Sequence, residues 1–328
     1  MSENGKLDLF DRVFLQSGSL IPVIDTPANA DFVYRNMLSH VGRRCGIAQT
    51  SLECLRDLPA NDLLEASLLT KKEINSPIST AFGPLLDGKI FQRQQHESLR
   101  LKLFRKIPMM INTVQDEGVF LTSKIASKEV SEVDFRRRVI PFLNQTDWLE
   151  VNKLYPADDS YIPLHNLSQA RIWLIKAVTD FYFQCPSRKI AEAYQQAGLP
   201  VTKSYLEYEL GIYKLFGVKG VVHGSDLALW WQFHLFLYFF SGETTLSKTL
   251  LGALMDFGAC RDPQECKIGG KSHSIEWPRY ENGRINLMNP VTKFSIQPDT
   301  QFDPQCAMWD RIVASKGVGI VGQAPISF

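Results

Sequence analysis

The run Met109–Val114 (MMINTV) limits most strongly what this chain can fold into. It follows Pro108 and ends at Gln115-Asp116-Glu117-Gly118, leaving room for a strand but not for a helix of ordinary length. A compact, mainly apolar run of this size is the pattern of a strand buried on both faces, and such strands belong to parallel sheets covered by helices. Two further segments read as strands. Arg12–Gln16 is β-branched and aromatic and stops at the turn signal Ser17-Gly18-Ser19. Tyr205–Tyr213 alternates, with Leu206, Tyr208, Leu210 and Ile212 on one face and Glu207 and Glu209 on the other.

Helical patterns fill the intervals. Glu132–Ile140 predicts a short helix capped by Ser131 and ended by Pro141, and Thr146–Leu154 another, capped by Thr146 or Asp147. Ser168 caps an expected helix over Gln169–Phe183, with Pro186 marking a break before a further short helix through Gln195. Thr245–Phe257 places Leu246, Leu250, Ala253, Leu254 and Phe257 on one stripe. Separated strands with helices between them predict an α/β architecture with a mainly parallel sheet. No Pro/Gly/Ser-rich linker divides the chain, so residues 1–328 are read as one continuous domain. The stretch roughly 128–198 is read as a helical cap or side region.

Charge narrows the partners. Lys and Arg number 36 against 35 Asp and Glu, so there is no electrostatic footprint for nucleic acid or an anionic membrane surface. No apolar run reaches membrane-spanning length. The nearest, Leu227–Phe240, is broken by Gln232 and His234 and reads as a buried helix in an aromatic-rich core. The start, MSENGKLDLF, has neither the basic residues nor the apolar stretch of a secretory signal. Six cysteines and the sequons at Asn144 and Asn166 suit an oxidising route without being dense enough to impose one, which leaves the compartment open.

Two titratable residues follow expected strands. Glu117 comes directly after Met109–Val114, and His223 lies in Val221-Val222-His223-Gly224-Ser225-Asp226. In open α/β sheets, ligands and catalytic groups gather at the C-terminal ends of strands. A carboxylate followed later in the chain by an imidazole fits the order of an acid and base serving a nucleophile. Each pattern alone also fits a solvated turn or a structural histidine. No His or Cys spacing matches a metal site, and Lys267–Lys271 (KIGGK) lacks the spacing of a phosphate loop, so neither metal nor cofactor is expected.

Taken in order, the motifs resemble the type B carboxylesterase and cholinesterase-like lipase family of α/β-hydrolases. The segments that carry the resemblance are Asp8 through Gln16-Ser-Gly-Ser19, Cys45 through Glu53-Cys54-Leu55-Arg56, and Phe82-Gly-Pro-Leu-Leu-Asp-Gly88. They continue with Pro108 through Asp116-Glu-Gly118, His223-Gly-Ser-Asp-Leu227, Glu276-Trp-Pro-Arg-Tyr280 and Cys306-Ala-Met-Trp309. The resemblance implies a carboxylic ester hydrolase with Glu117 as the triad acid and His223 as the triad base. It implies Ser17 as a supporting group near the acid, unless that hydroxyl merely satisfies its own turn. It also implies a disulfide Cys45–Cys54, a longer-range pair Cys185–Cys306, a small-molecule ester substrate and a secreted parent. Cys260 and Cys266 could close a second short loop.

The chain departs from that family at the nucleophile. It contains no Gly-x-Ser-x-Gly. By the family's layout that elbow falls about ten residues before Met1, with the oxyanion loop further upstream. The expectation is therefore a partial α/β-hydrolase fold, lacking its N-terminal strands and elbow and inactive by itself. The alternative is a non-catalytic, esterase-like interaction protein. A missing N-terminal part would leave Arg12–Gln16 near an uncovered sheet edge. The aromatic segment Trp230–Phe240 fits either a substrate pocket or core.

Overall fold

A computed structural model of the chain describes residues 8–20, 27–42, 45, 52–74, 82–123, 140, 143–155, 175–215, 217, 219–233, 241–259, 277–281, 283–288 and 294–316. Its centre is a five-stranded sheet ordered β1-β2-β3-β4-β5. The strands are β1 (Val13–Gln16), β2 (Met109–Val114), β3 (Val201–Leu206), β4 (Arg284–Met288) and β5 (Ser295–Pro298). The first four run parallel, and β5 returns antiparallel beside β4. This is the α/β architecture that the sequence predicts.

All six residues of β2 are buried, as are all six of β3. The pleat sends alternate side chains to two separate cores. On one face Met110, Val114 and Leu206 meet Trp230, Leu246, Leu250 and Phe257. Most of these partners come from helix Ser241–Ala259, whose stripe is the one expected from its 3.6-residue period. On the other face Met109, Ile111, Val201 and Tyr205 pack on Ile190, Ala191 and Tyr194 of helix Cys185–Gln196. A satellite cluster joins helices Pro27–Val41, Leu52–Asp57 and Ala60–Ile74 through Met37, Val41, Leu55 and Ala66. The Cys45–Cys54 disulfide closes its loop there.

Several expectations are corrected. The third strand is Val201–Leu206, not Tyr205–Tyr213. Residues 207–210 leave the sheet and Gly211–Leu215 is a helical turn, so the alternation there came from Leu210 and Ile212 reaching the core from non-strand backbone. The true strand was hidden by Thr202, Lys203 and Ser204, polar residues that are buried nonetheless. Helix Gln145–Leu154 is capped by Asn144, not by Thr146 or Asp147. Asn144 Oδ1 accepts from Asp147 N at 2.9 Å, while Asp147 Oδ2 accepts from Asn144 N at 2.8 Å. Helix is confined to Leu227–Trp230 in the described part of the aromatic segment, and Trp231 and Phe233 are about half exposed.

Pro186 does not break its helix. Residues 175–179 continue through a π turn, Asp180–Gln184, into Cys185–Gln196. Cys185 N donates to Asp180 O, five residues back. Pro186 has no N–H for the carbonyl of Tyr182, and that carbonyl accepts instead from Ser19 Oγ, just past β1. The Cys185–Cys306 disulfide ties this helix to Asp303–Lys316. Most of the expected helix Glu132–Ile140, and both Cys260 and Cys266, lie outside the described residues.

Candidate active site

The ends of β1, β2 and β3 and the loop 219–226 converge on one polar cluster. Glu117 opens helix Glu117–Ser123 directly after β2 and is fully buried. Its Oε1 accepts from Val114 N at 3.0 Å, and its Oε2 lies 2.5 Å from His223 Nδ1. A carboxylate only accepts, so this contact places the imidazole proton on Nδ1. The bond to Glu117 is the main cause that raises the pKa of His223, against a lowering by burial and with a further raising contribution from Asp226. About a third of the His223 side chain is accessible.

The sequence around this pair is shaped by close approach. A side chain at Gly118 would collide with the backbone of Ile175, while Gly118 N donates to Thr179 Oγ1 at 2.9 Å. Gly224 follows His223 with φ of +80°, a conformation glycine adopts without strain. Asp116 holds the histidine loop to the end of β2. Its N–H donates to Val221 O at 2.9 Å, and its Oδ2 accepts from Val221 N at 2.7 Å. Asp116 Oδ1 is buried and has no hydrogen-bond partner among the described residues.

Burial pushes the Asp116 carboxyl up to about 7, opposed by the Val221 hydrogen bond. A folded-state pKa above the unfolded 3.8 means that the folded chain holds a proton the unfolded chain has lost. That contribution is intact below pH 3.8 and disappears as pH rises through about 7. At about 1.4 kcal/mol per unit, the whole window is worth at most about 4 kcal/mol. Asp116→Asn is therefore expected to flatten the fall in stability between pH 4 and 7, read from urea melts across that range. An unchanged pH slope would contradict this account.

A third carboxylate, Asp226, accepts from Asn112 Nδ2 of β2 at 2.7 Å and from Gln16 Nε2 of β1 at 3.3 Å. Asn112 Oδ1 accepts from Ser204 Oγ of β3 at 2.8 Å, and Gln16 Oε1 accepts from Trp231 Nε1 at 2.7 Å. Burial pushes Asp226 up to about 6, with the charge of Glu117 adding to it. Sequence reasoning gave no role to Asp226, Asn112 or Gln16. The available signal was Asp226 within the quoted His-Gly-Ser-Asp motif. Ser17 follows β1 with φ of +50°, and its N–H donates to Asn112 O at 2.8 Å. Among the described residues the Glu117 carboxylate is bonded to Val114 and His223. No group of His, Cys, Asp and Glu suited to a metal ion occurs among the described residues.

A model of the carboxylesterase family matches residues 1–309. The chain belongs to that family. Among curated relatives it is 24% identical over 272 residues to secreted lipase 4 of Gibberella zeae, covering 80% of this chain and 46% of the relative. It is 29% identical over 326 residues to secreted lipase 1 of Botryotinia fuckeliana, covering 94% and 52%. The chain thus spans about half the length of these relatives. Aspergillus niger EstA superposes with a TM-score of 0.76 at 20% identity, over 95% of this chain and 60% of that one. The carboxylesterase of Geobacillus stearothermophilus gives 0.68 at 22% identity, over 92% and 58%. The fold is that of the α/β-hydrolase esterases. No helix among the described residues is long and apolar enough to cross a membrane.

Proposed function

We propose that this chain carries the acid and the base of a serine carboxylic ester hydrolase, Glu117 and His223, and that the nucleophile belongs to a segment upstream of Met1. The observation that carries the reading is the 2.5 Å contact between a fully buried carboxylate and a partly accessible imidazole at the C-terminal end of a parallel sheet. In the completed site His223 takes the proton of a serine hydroxyl as it attacks the ester carbonyl. Glu117 holds the Nδ1–H tautomer and stabilises the imidazolium, and water releases the acyl group with His223 again as base. The substrate class is a small-molecule carboxylic ester, in keeping with the lipase names of the relatives. Those names and the two disulfides favour a secreted parent. Residues 1–328 then form part of one large domain, whose further strands would add beside β1, the edge of the sheet among the described residues.

The absence of Gly-x-Ser-x-Gly also fits a non-catalytic, esterase-like interaction protein. The retained Glu117–His223 pair favours the hydrolase. The test compares the chain alone with the chain joined to its upstream coding sequence, using a fluorophosphonate probe and a short-chain ester. Labelling and turnover are expected only in the joined protein, with the probe on the serine of a Gly-x-Ser-x-Gly. Labelling of the chain alone, or an upstream frame without that motif, would overturn the proposal.

A further inference from the structure

The π turn Asp180–Gln184 and the residue before it bring three side chains around the Glu117–His223 pair, one against the imidazole and two against neighbours of Glu117 on the chain. Thr179 Oγ1 takes the N–H of Gly118, the residue after the acid. The Phe183 ring lies against the imidazole, with centroids 5.3 Å apart and planes inclined by 50°. Gln184, fully buried, turns to β2, where its Oε1 accepts from Thr113 Oγ1 at 2.9 Å and its Nε2 donates to Val114 O at 3.1 Å. Phe183 and Gln184 are adjacent in sequence yet serve different elements. The wider turn, with one residue more than a regular helix provides, is found frequently at functional sites.

The bonds form a continuous line. Thr113 fixes the Gln184 carboxamide, the carboxamide holds Val114 O, Val114 N holds Glu117 Oε1, and Glu117 Oε2 meets His223 Nδ1. Val114 is thus held on both sides, its C=O by Gln184 and its N–H by the acid. Resting on the esterase reading above, we propose that Gln184 is a positioning residue: its carboxamide clamps Val114 so that the Val114 N–H aims the Glu117 carboxylate at His223. The position needs an acceptor and a donor on one side chain of this length, which glutamine supplies at all pH values. Methionine matches its shape and supplies neither group. The carbonyl of Val114 and the hydroxyl of Thr113 would then lie buried without that partner.

The test is made on the purified chain by following the six histidines with nitrogen-15 NMR. In the unsubstituted chain His223 is expected to titrate above its ordinary value, with its Nδ1 proton at low field. Gln184→Met is expected to move the His223 titration down by at least about half a pH unit and to weaken that low-field proton. Thr113→Val, which keeps the volume and frees only Gln184 Oε1, is expected to do the same to a smaller extent. Ile190→Val, a cavity on the same helix far from this line of bonds, controls for general loosening and is expected to leave His223 unmoved. An unchanged His223 in Gln184→Met, or an equal shift in Ile190→Val, overturns the proposal. Should Gln184→Met fail to fold, Thr113→Val decides, and an unmoved His223 there counts against it. Because no turnover is read, the outcome is independent of whether the joined protein hydrolyses esters.

Discussion

In the joined protein that the proposed function calls for, Glu117→Gln is expected to lower kcat by about 10⁴-fold, the loss found when the acid of a serine-protease triad becomes an amide. The structure gives the reason. Val114 N needs an acceptor and finds it in Glu117 Oε1. A glutamine would place its carbonyl there, so its NH2 would face His223 Nδ1. Two donors cannot share that 2.5 Å contact, and the imidazole would have to carry its proton on Nε2 instead. The nitrogen meant to accept the serine proton would then already hold one. His223→Ala removes the base altogether and is expected to cost on the order of 10⁶-fold in kcat. Glu117→Asp shortens the arm, keeps the acceptor chemistry and should retain more activity than the amide. Kinetics of the three variants, with folding checked by thermal melts, decide the matter. A Glu117→Gln enzyme within tenfold of the parent would show that the carboxylate does not set the tautomer.

Part of the candidate site was legible because its signal is local. Met109–Val114 reads as a buried strand from six consecutive residues, and Glu117 stands out because it follows that run. His223 comes after Tyr205–Tyr213, a segment that is mostly not strand, so its motif carries it instead. The support around them is not local. Gln16, Asn112, Ser204 and Asp226 come from four distant segments and look like ordinary polar residues until the strands align. Strand β3 differs from the expected Tyr205–Tyr213 for the same reason: its polar Lys203 and Ser204 are not strand-core residues by type, and each finds its partner some 90 residues away in sequence. Pro186 read as a break because nothing in the sequence shows that a π turn precedes it, or that Ser19 takes the carbonyl it leaves free. The disulfides were legible only through family resemblance, since cysteine spacing alone does not determine pairing.

Lys203 carries the other large expectation, on stability. It lies in the middle of β3, paired in register with Ile111, and its side chain is wholly buried. Its ammonium lies 3.1 Å from Asp299 Oδ2 and 3.2 Å from Oδ1, and Asp299 is equally inaccessible. The Tyr280 hydroxyl donates to Asp299 Oδ2 at 2.8 Å, and burial beside that carboxylate keeps the phenol protonated. Taking two charges out of water is expensive, and the pair offsets this only while both members are present. Lys203→Met would leave Asp299 with Tyr280 as its remaining side-chain donor among the described residues, and Asp299→Leu would leave the ammonium without its carboxylate. Each is expected to cost about 3–5 kcal/mol, a large share of the stability of a typical domain. The double variant Lys203→Met/Asp299→Leu removes both charges and restores apolar volume, so it should be clearly more stable than either single change. Urea unfolding of the four proteins gives the coupling energy directly. If the two single losses simply added in the double variant, the pair would not be the interaction that fixes β3 to the turn after β5. With the coupling expected here, the polar strand that the sequence disguised is fixed in the sheet by one ion pair, and the register beside β2 that brings Ser204 to Asn112 is fixed with it.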